Sequence, residues 1–474
     1  MASLCDDLTT ILGVEHVLGE PEACAAYAVQ GVTPGCVAAP GSVEELQAVL
    51  RAAHERRAAV APWGGGTQQR IGGPPARLDL VVRTGRLSRV LVHEPDDLTI
   101  SVEAGVTMGA LRAHLAQYGQ MLPLDPPLPQ RATIGGLVAT AADGPRRLGY
   151  GTLRDLLIGI AVVEADGRLS RAGGMVVKNV SGFDMMKLYL GSYGTLAVVV
   201  SANFKLLPAP RAAGSLLCRF ASPQQAFAAA EALQQTQLTP TAVEYLNAGA
   251  LALVSTEGRE VRSAGARTAG PPIGAGGTLG TQTSGPSVSS VPAVAEARGG
   301  CALVVRAEGL PQAVERHLAD AAGIAGRSGA LAAERLEGSG EAELWARVAD
   351  LPQAVELAPG EALVKLSVLP ADVERAAGVV EALADAVGAQ AAISARALSG
   401  TLYARLCPLE ADVLAGILER LPGLQWVATD LPGTPRWGPP PQGIEVMRRI
   451  KREFDPQNCL NPGRFVPGIE FVTG

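Results

Sequence analysis

The sequence predicts an α+β protein in which a first domain of two parts is closed over by a second α+β domain. Three observations carry this prediction. The chain has 474 residues, which is too many for one compact core. Residues 31–208 alternate strand-like and helix-like segments, and after Pro208 strand-like segments alternate with alanine-rich helices. The predicted organisation is an N-terminal helical lead-in over 1–30, a first domain over 31–208, a second domain over 209–440 and a return to the first domain over 441–474.

Composition narrows the class of protein. Apolar residues make up 47% of the chain, but the excess is mostly alanine and no apolar run reaches the length of a membrane span. The first residues lack a basic region and a cleavage pattern, so we expect a cytoplasmic protein without a signal peptide. A net charge of −6, with no useful run of Lys and Arg, argues against nucleic acid as a partner. The seven cysteines are scattered without a C-x-x-C, which indicates neither a disulfide framework nor an iron–sulfur cluster within this chain.

The first domain begins with a helix followed by a glycine-rich loop. Ser42 and Glu45 form a capping-box pattern ahead of a helix that we expect to end near Arg57. A short strand over 59–61 then runs into Pro-Trp-Gly-Gly-Gly-Thr at residues 62–67, where regular structure must stop. This segment is not the dinucleotide-binding fingerprint, because the glycine spacing and the following acidic residue of that motif are missing.

The rest of the first domain shows further turn and cap signals. A strand over 98–103 precedes a helix capped by Thr107, and the proline-rich passage 122–129 can be neither helix nor central strand. Asp166-Gly167 predicts the turn of a β-hairpin.

The second domain is predicted from short apolar strands. These lie near 215–220, 301–307 and 363–369. A stretch over about 262–299 is rich in Gly, Ser, Thr and Pro and poor in large apolar side chains, which predicts a disordered insertion. After it the chain returns to order, and one face of a last helix carries Ile444, Met447, Ile450 and Phe454.

Two glycine-rich loops carry the strongest chemical signal. The first is Gly64-Gly65-Gly66-Thr67 and the second runs over 133–139, Thr-Ile-Gly-Gly-Leu-Val-Ala. A bound diphosphate needs backbone N–H groups at close range, and a Cβ at these positions would stand in the way. Either loop alone is compatible with an ordinary tight turn. Together, with the proline passage between them, they indicate a diphosphate-containing cofactor.

At this point the sequence resembles a known family. The two glycine loops, Leu-Pro-Leu-Asp-Pro-Pro at 122–127 and Gly-Ser-Tyr-Gly-Thr-Leu at 191–196 resemble the vanillyl-alcohol-oxidase/PCMH-type FAD domain. Phe-Asp-Pro at 454–456 and Asn-Pro-Gly-Arg at 461–464 resemble that superfamily's C-terminal return to the flavin domain. Segments at 144–147, 154–155 and 174–184 are similar to the FAD-binding E subunits of bacterial glycolate oxidases. The resemblance implies a PCMH-type FAD-binding domain of two subdomains plus an α+β cap of the FAD-linked oxidase C-terminal type.

The resemblance also implies roles for individual residues. The diphosphate would be held by Pro62, Trp63, Gly64, Gly65, Gly66 and Thr67, and the cradle completed by Thr133, Ile134, Gly135, Gly136, Ala139 and Gly144. Asp125 and Pro126 would lie beside the flavin; Arg146, Lys178 and Asn179 would face the isoalloxazine or the diphosphate. Val198 or Val199 would offer backbone bonds near the adenine, and Asn461 would add a contact from the chain end. Solvated surface charge is the alternative for Arg146 and Lys178, and a surface ion pair the alternative for Asp184 with Lys187.

Two departures from relatives modify these expectations. The first glycine loop contains no histidine or cysteine that could tether the cofactor, so we expect FAD to bind non-covalently. Similar 2-hydroxyacid dehydrogenases carry a metal held by histidine and glutamate. The five histidines here are isolated along the sequence, so we expect no metal site.

The implied function is that of an FAD-binding subunit of a glycolate (2-hydroxyacid) dehydrogenase complex. Such a subunit would pair with a catalytic flavoprotein and an iron–sulfur subunit, reach a membrane only through these partners, and turn glycolate into glyoxylate. A non-catalytic FAD-binding relay or structural subunit and a stand-alone oxidase are the alternatives. Oxidising a 2-hydroxy acid requires a cation for its carboxylate, and Arg405 is the candidate catalytic residue because its strand should face the flavin.

Overall fold

The computed structural model describes residues 3–176, 183–255, 300–352, 360–408, 410–421, 425–429 and 437–469. The predicted cofactor residues Lys178 and Asn179 and the predicted disordered insertion over 262–299 lie outside the described residues.

The first lobe of the first domain is a small mixed sheet with helices packed on it. Its elements are α1 (Leu4–Leu12), β1 (Val17–Leu18), α2 (Pro21–Ala25), β2 (Cys36–Ala38), α3 (Val43–Glu55), β3 (Val60–Trp63) and β4 (Leu80–Arg83). The strand order is β1-β2-β4-β3, in which β2, β4 and β3 run parallel. Ser42 caps α3 as predicted, since its hydroxyl accepts from the N–H of Glu45 at 3.1 Å. The Glu45 carboxylate reaches Gly41 rather than closing the predicted capping box on Ser42.

The second lobe is a five-stranded antiparallel sheet in the order β5-β6-β10-β8-β9. Its elements are β5 (Val90–Glu94), β6 (Thr99–Glu103), α4 (Met108–Ala116), β7 (Gln120–Met121), α5 (Ile134–Thr140), α6 (Arg147–Tyr150), α7 (Leu153–Leu156), β8 (Leu157–Glu164), β9 (Leu169–Gly173), α8 (Met186–Tyr189), β10 (Ala197–Lys205) and β11 (Leu207–Pro208). Asp166-Gly167 makes the predicted turn between β8 and β9, with Gly167 at φ +83°. Alternate side chains of β10 enter two cores: Val199 packs with the second lobe, whereas Val198 and Val200 pack with the first.

The second domain is built on an eight-stranded antiparallel sheet in the order β15-β12-β14-β13-β17-β18-β16-β19. Its elements are β12 (Ala212–Phe220), α9 (Pro223–Gln234), β13 (Ala242–Leu246), α10 (Ala248–Ser255), β14 (Cys301–Gly309), α11 (Pro311–Arg327), β15 (Ala332–Glu337), α12 (Gly338–Asp350), β16 (Ala362–Ser367), α13 (Val373–Ala386), β17 (Gln390–Arg396), β18 (Thr401–Cys407), α14 (Ala411–Glu419) and β19 (Gln425–Thr429). Helices α9, α11, α13 and α14 bury one face of this sheet. On the other face α10 and α12 cover only one half, and side chains of β16, β18 and β19 line a cavity that also contacts the first domain.

The chain end packs back on the first domain. Helix α15 (Ile444–Phe454) places Ile450 and Phe454 against the core of the second lobe. Its Lys451 is 1% exposed, and the ammonium donates to the carbonyls of Thr195 (2.8 Å) and Leu460 (3.0 Å) and pairs with Asp455 (2.5 Å). Leu460 then lies parallel to Val60 of β3 in a single β-bridge. This buried ion pair therefore fixes the end of the chain beside the first glycine loop.

Candidate active site

The two glycine loops predicted to act together are in direct contact. A Cβ on Gly64 would lie 2.1 Å from Oγ1 of Thr133, and a Cβ on Gly65 would lie 1.8 Å from the carbonyl oxygen of Arg131. Gly66 adopts φ +72°, the left-handed region that disfavours other residues. The first two glycines are thus required by the packing of one loop on the other, a reason that sequence analysis did not contain.

The backbone of this loop fits an FAD diphosphate. Within the described part of the chain, the N–H groups of residues 64–67 donate to no protein acceptor. They follow a parallel β-strand and include a left-handed glycine, an arrangement that forms anion-binding concavities. Thr133 caps α5 by accepting from the N–H of Gly136 at 3.4 Å, and the N–H of Gly135 donates to Ala104 at 2.7 Å. Ile134 is buried, and the Ala139 carbonyl accepts from Tyr193, so these residues shape the second loop from its interior.

Asp125 and Gly144 are pressed together beside the loops. A Cβ on Gly144 would lie 1.9 Å from the Asp125 carbonyl oxygen. The Asp125 carboxylate is 8% exposed and accepts from the N–H of Arg146 at 3.1 and 3.0 Å. Burial raises the pKa of Asp125 to about 6, against the opposing effect of the Arg146 cation. The neighbouring Pro126 is buried as well.

Arg146 joins the two domains. Its guanidinium lies 2.5 Å from Glu308 of β14, a carboxylate whose side chain is fully buried. With a side chain only 17% exposed, Arg146 is not the solvated surface charge that sequence analysis left open. Asp184 and Lys187, by contrast, form the surface pair, 2.6 Å apart and each about 40% exposed.

The remaining predicted cofactor residues are placed as follows. Val198 and Val199 pair with Val163 and Val162 in the centre of the second-lobe sheet. The side chain of Asn461 donates to the Tyr193 carbonyl at 2.7 Å, and its N–H donates to the Val60 carbonyl at 2.8 Å. The contacts of Val198 or Val199 with the adenine, and of Asn461 with the cofactor, stay predictions.

The eight-stranded sheet of the second domain is called the cap sheet below, and the second domain the cap. A cavity of about 230 Å³ lies between the first domain and the half of the cap sheet that α10 and α12 do not cover. Its walls come from distant parts of the chain: Gln68, Ile71, Pro127, Thr140, Ala142, Asp143, Tyr193, Pro352, Leu363, Lys365, Ser367, Tyr403, Gln425, Trp426, Val427, Trp437 and Val466. The Lys365 ammonium lies 5.8 Å from the ring centre of Tyr403, and within the described residues it forms no hydrogen bond or ion pair. Electrostatic interaction with Tyr403 and Asp143 raises the pKa of Lys365, so this lysine is a cation at neutral pH.

A second cation lies behind this wall. Arg396 of β17 is 6% exposed, stacks 5.5 Å from the Tyr403 ring centre and forms an ion pair with Asp143 of the first domain. Burial acts to raise the pKa of Asp143, but Arg396, Lys365 and Arg147 together hold it below its usual range. Arg396 also lies 3.7 Å from Glu244, a carboxyl whose pKa burial raises to about 8. Arg396 is therefore neutralised by Asp143 and lies beside a second carboxyl.

Arg405, the predicted catalytic residue, does not line this cavity. Its guanidinium is 8% exposed and pairs with Glu361 at 2.5 Å. Two residues earlier on the same strand, Tyr403 does line the cavity. The catalytic role of Arg405 stays a prediction, and the geometry favours Lys365 as the anion-binding group.

Two histidines that are isolated along the sequence lie together in the structure. His114 Nε2 lies 3.1 Å from His93 Nδ1, and His93 Nε2 lies 3.0 Å from Gln120 Oε1. Among the described residues no group of three His, Cys, Asp or Glu side chains is arranged to hold a metal ion. Nor does any helix in the described ranges combine the length and apolar character needed to cross a membrane.

Comparison with protein families matches both domains. A family described as an FAD binding domain matches residues 34–173, and the C-terminal domain of FAD linked oxidases matches residues 209–408 and 439–465. The chain belongs to the FAD-linked oxidases. It is an FAD-dependent oxidoreductase, as the resemblance implied. The match to the C-terminal domain stops at residue 408 and resumes at residue 439. Helix α14 and strand β19 of the second domain lie between these two points.

Individual relatives refine the resemblance. The chain is 27% identical to glycolate oxidase subunit GlcD of Bacillus subtilis over 91% of its length and 88% of that protein's. It is 36% identical to D-2-hydroxyglutarate dehydrogenase of Xanthomonas citri pv. viticola, over 48% of each chain. It is 38% identical to glycolate oxidase subunit GlcE of Escherichia coli, but over only 32% of its own length and 43% of that protein's. The superfamily is confirmed, whereas the predicted assignment to the E subunits is not supported.

Solved structures share the fold. The superposition on p-cresol methylhydroxylase has a TM-score of 0.70 and covers 97% of this chain and 96% of the other at 14% identity. That on alkyldihydroxyacetonephosphate synthase also has a TM-score of 0.70, covering 97% and 84% at 17% identity. The predicted PCMH-type FAD domain with an α+β cap is thereby confirmed.

Proposed function

We propose that this chain oxidises a 2-hydroxy acid to the 2-oxo acid, with Lys365 as the anchor for the substrate carboxylate. The observation that supports it most directly is the Lys365 ammonium, which lines the cavity and, among the described residues, forms no ion pair. Lys365 is half-buried, and a partly desolvated cation without an ion pair favours an anionic ligand at this position. The relatives named above as glycolate oxidase subunits and a D-2-hydroxyglutarate dehydrogenase act on acids of this class.

The residues around the cavity have different roles in the proposed reaction. FAD, when bound, supplies the acceptor for the hydride of the substrate's C–H bond. Lys365 orients the acid through its carboxylate. Tyr403 presents its phenol oxygen on the same wall, and as the phenolate it would accept the proton that the substrate hydroxyl loses. Arg396 and Asp143 neutralise one another and fix the cap sheet against the first domain, so that this wall stays in place.

We further propose that the chain acts as a D-type subunit and passes its electrons to an iron–sulfur partner. The match to the D subunit spans nearly the whole chain, whereas that to the E subunit covers about a third. All seven cysteines are free thiols. Among the described residues, no group of three His, Cys, Asp or Glu side chains is arranged to hold a metal ion. The relay and stand-alone oxidase alternatives differ from this proposal in what the isolated protein does.

Anaerobic mixing of the purified flavoprotein with 2-hydroxy acids tests the proposal. Bleaching of the oxidised flavin band by the acid alone supports direct oxidation, and flavin that bleaches only after partner subunits are added supports the relay. Rapid return of the band on admitting oxygen would identify a stand-alone oxidase. Lys365→Gln should raise KM for the acid at least tenfold with FAD content unchanged, since one charge-assisted contact contributes about 1.5–3 kcal/mol. Lys205→Gln, on β10 and outside the cavity, is the matched control. Equal KM values in the two variants would refute the role of Lys365.

A further inference from the structure

We infer that Cys5 and Cys36 form a redox-active pair of thiols, which exchange with a small disulfide and become linked to each other. The pair lies in the first lobe, and neither residue lines the cavity described above. The link would join helix α1 to strand β2. It is independent of the proposed function, because no step of that reaction involves these two residues.

The two thiols meet because β1 and β2 are neighbouring antiparallel strands. Leu18 of β1 lies opposite Val37 of β2, so the same register sets Gly19 opposite Cys36. Cys5, in the first turn of α1, lies over this point, since a Cβ on Gly19 would stand 3.0 Å from the Cys5 sulfur. The glycine therefore leaves room for the Cys5 thiol beside Cys36.

The contacts of the Cys5 sulfur agree with this placement. It lies 3.9 Å from the carbonyl oxygen of Leu18 and 3.9 Å from that of Gly35, the residue before Cys36. The Cys36 thiol interacts with the thiol of Cys5. A disulfide requires Cβ atoms about 3.5–4.5 Å apart, so a small movement of the first turn of α1 is enough to join two thiols that already interact.

A third thiol nearby provides an internal comparison. Cys24 of α2 also directs its sulfur at the Leu18 carbonyl, at 3.5 Å. It packs with Val37 in one core, however, whereas Cys5 and Cys36 belong to another. Because successive residues of a strand point to opposite faces of the sheet, β2 separates Cys24 from Cys36. Cys36 is therefore the partner of Cys5, and Cys24 is not.

Exposure sets the order in which the two thiols react. Cys5 is half-buried, whereas Cys36 is only 2% exposed, so a reagent in solution meets Cys5 first. Burial raises the pKa of the Cys36 thiol. Since the thiolate is the attacking species, the step that involves Cys36 is the slower of the two.

The reaction balances with a small disulfide, RSSR, as the oxidant. The Cys5 thiolate attacks one sulfur of RSSR, which forms a mixed disulfide at Cys5 and releases one thiolate. The Cys36 thiolate then attacks the Cys5 sulfur, which forms the Cys5–Cys36 bond and releases the second thiolate. Two electrons pass from the protein to RSSR, and the protons of the two protein thiols end on the two released thiols. An excess of small thiol reverses both steps.

Peptide mass spectrometry of the oxidised holoprotein tests the inference. Reduced protein is incubated with oxidised glutathione, quenched with acid at intervals, alkylated and digested without a reductant. We expect a glutathione adduct at Cys5, followed by its replacement with a peptide pair that is linked through Cys5 and Cys36 and is separated by dithiothreitol. Cys407, the other half-buried cysteine, should form no such link.

Variants separate the roles of the three thiols. Cys36→Ser should stop the reaction at the glutathione adduct of Cys5, whereas Cys24→Ser, the matched control, should form the link at the wild-type rate. If Cys36→Ser does not fold, Cys5→Ser at the half-buried position replaces it and should leave Cys36 unmodified. Because the link closes a loop of the chain, oxidised wild-type protein should unfold at a higher urea concentration than reduced protein, and Cys5→Ser should abolish this shift.

Three results would overturn the inference. They are a link between Cys5 and Cys24, a glutathione adduct at Cys5 that persists in the wild-type protein, and a Cys5 thiol that stays unmodified. None of these readouts requires oxidation of a 2-hydroxy acid, so failure of the proposed function would leave the thiol pair untouched.

Discussion

Gly65→Ala is the substitution for which the structure gives the sharpest expectation. The added methyl group would stand 1.8 Å from the carbonyl oxygen of Arg131, whereas ordinary contacts begin at 3.4 Å. The clash is with a backbone atom, so it cannot be relieved by the rotation of a side chain. The two glycine loops must therefore separate by roughly 1.6 Å, in an interior that is packed too tightly to absorb such a shift freely.

The size of the effect follows from the cost of overpacking. Inserting a methyl group into a filled site costs about 1–3 kcal/mol, and 1.4 kcal/mol is tenfold in an equilibrium constant. If the whole cost falls on the FAD-binding conformation, Kd for FAD rises about 5- to 150-fold. Titrating apoprotein with FAD and following the quenching of flavin fluorescence measures that Kd.

Controls decide whether the contact is responsible. Gly85→Ala adds a methyl group with no atom within 4 Å and should leave Kd for FAD unchanged. Gly136→Ala brings its Cβ only to 3.3 Å from Thr133 Oγ1, so its effect should be smaller than that of Gly65→Ala, and it serves if the latter does not fold. Gly65→Ala protein that binds FAD within twofold of wild type and unfolds at the same denaturant concentration would refute the reasoning.

Three further expectations concern buried charge. Lys451→Met should lower the free energy of unfolding by about 3–5 kcal/mol in urea, because it leaves Asp455 buried without its cation; an unchanged midpoint contradicts this. The pKa of Asp125 is raised from its usual 3.8 to about 6, so the folded state holds a proton that the unfolded state releases. The stability that this proton contributes is present below about pH 4. It is lost as pH rises to 6, by at most about 1.4 kcal/mol per pH unit. Asp125→Asn should flatten this part of the plot of unfolding free energy against pH. A double-mutant cycle of Arg146→Met with Glu308→Gln should give a coupling energy of about 1–3 kcal/mol by urea unfolding, and additivity would show that the interdomain pair contributes nothing.

The cofactor site was predictable because its residues are unusual as a local pattern. Three consecutive glycines after a strand, and a threonine capping a Gly-Gly helix start, are legible without knowledge of the fold. The contact between Gly65 and Arg131 was not, since it joins segments 66 residues apart. Pattern reasoning therefore selected two loops that the structure brings into contact, and it gave an incomplete reason for their glycines.

The proposed substrate site was not predictable because its residues look ordinary in sequence. Lys365 and Tyr403 each occupy one outward position of an apolar strand, which is also what a solvated sheet face shows. Arg405 was chosen on the same strand as Tyr403 and shares its face, but two residues along a strand amount to about 7 Å. That displacement takes Arg405 from the cavity to Glu361. Alternation gives the face, and only tertiary packing gives the position along it.

The segment over 143–147 connects the cap to the first domain through two charge pairs. Asp143 binds Arg396 of β17, and Arg146 binds Glu308 of β14. All four side chains are largely buried, so each pair depends strongly on keeping its partner. Separation of the two domains would have to break both pairs together, and would leave Asp143 with Arg147 and Glu308 with Arg306.

The same segment rests on the loop expected beside the flavin. Gly144 leaves no room for a Cβ against Asp125, and the Asp125 carboxylate is held by the N–H of Arg146. A displacement of the cap that pulls on Arg146 therefore acts directly on Asp125. Because binding free energies are reciprocal, a cofactor that requires Asp125 in this position must also favour the docked cap, to the same extent. Loss of the Arg146–Glu308 pair should accordingly weaken FAD binding although neither residue's pairing involves the glycine loops.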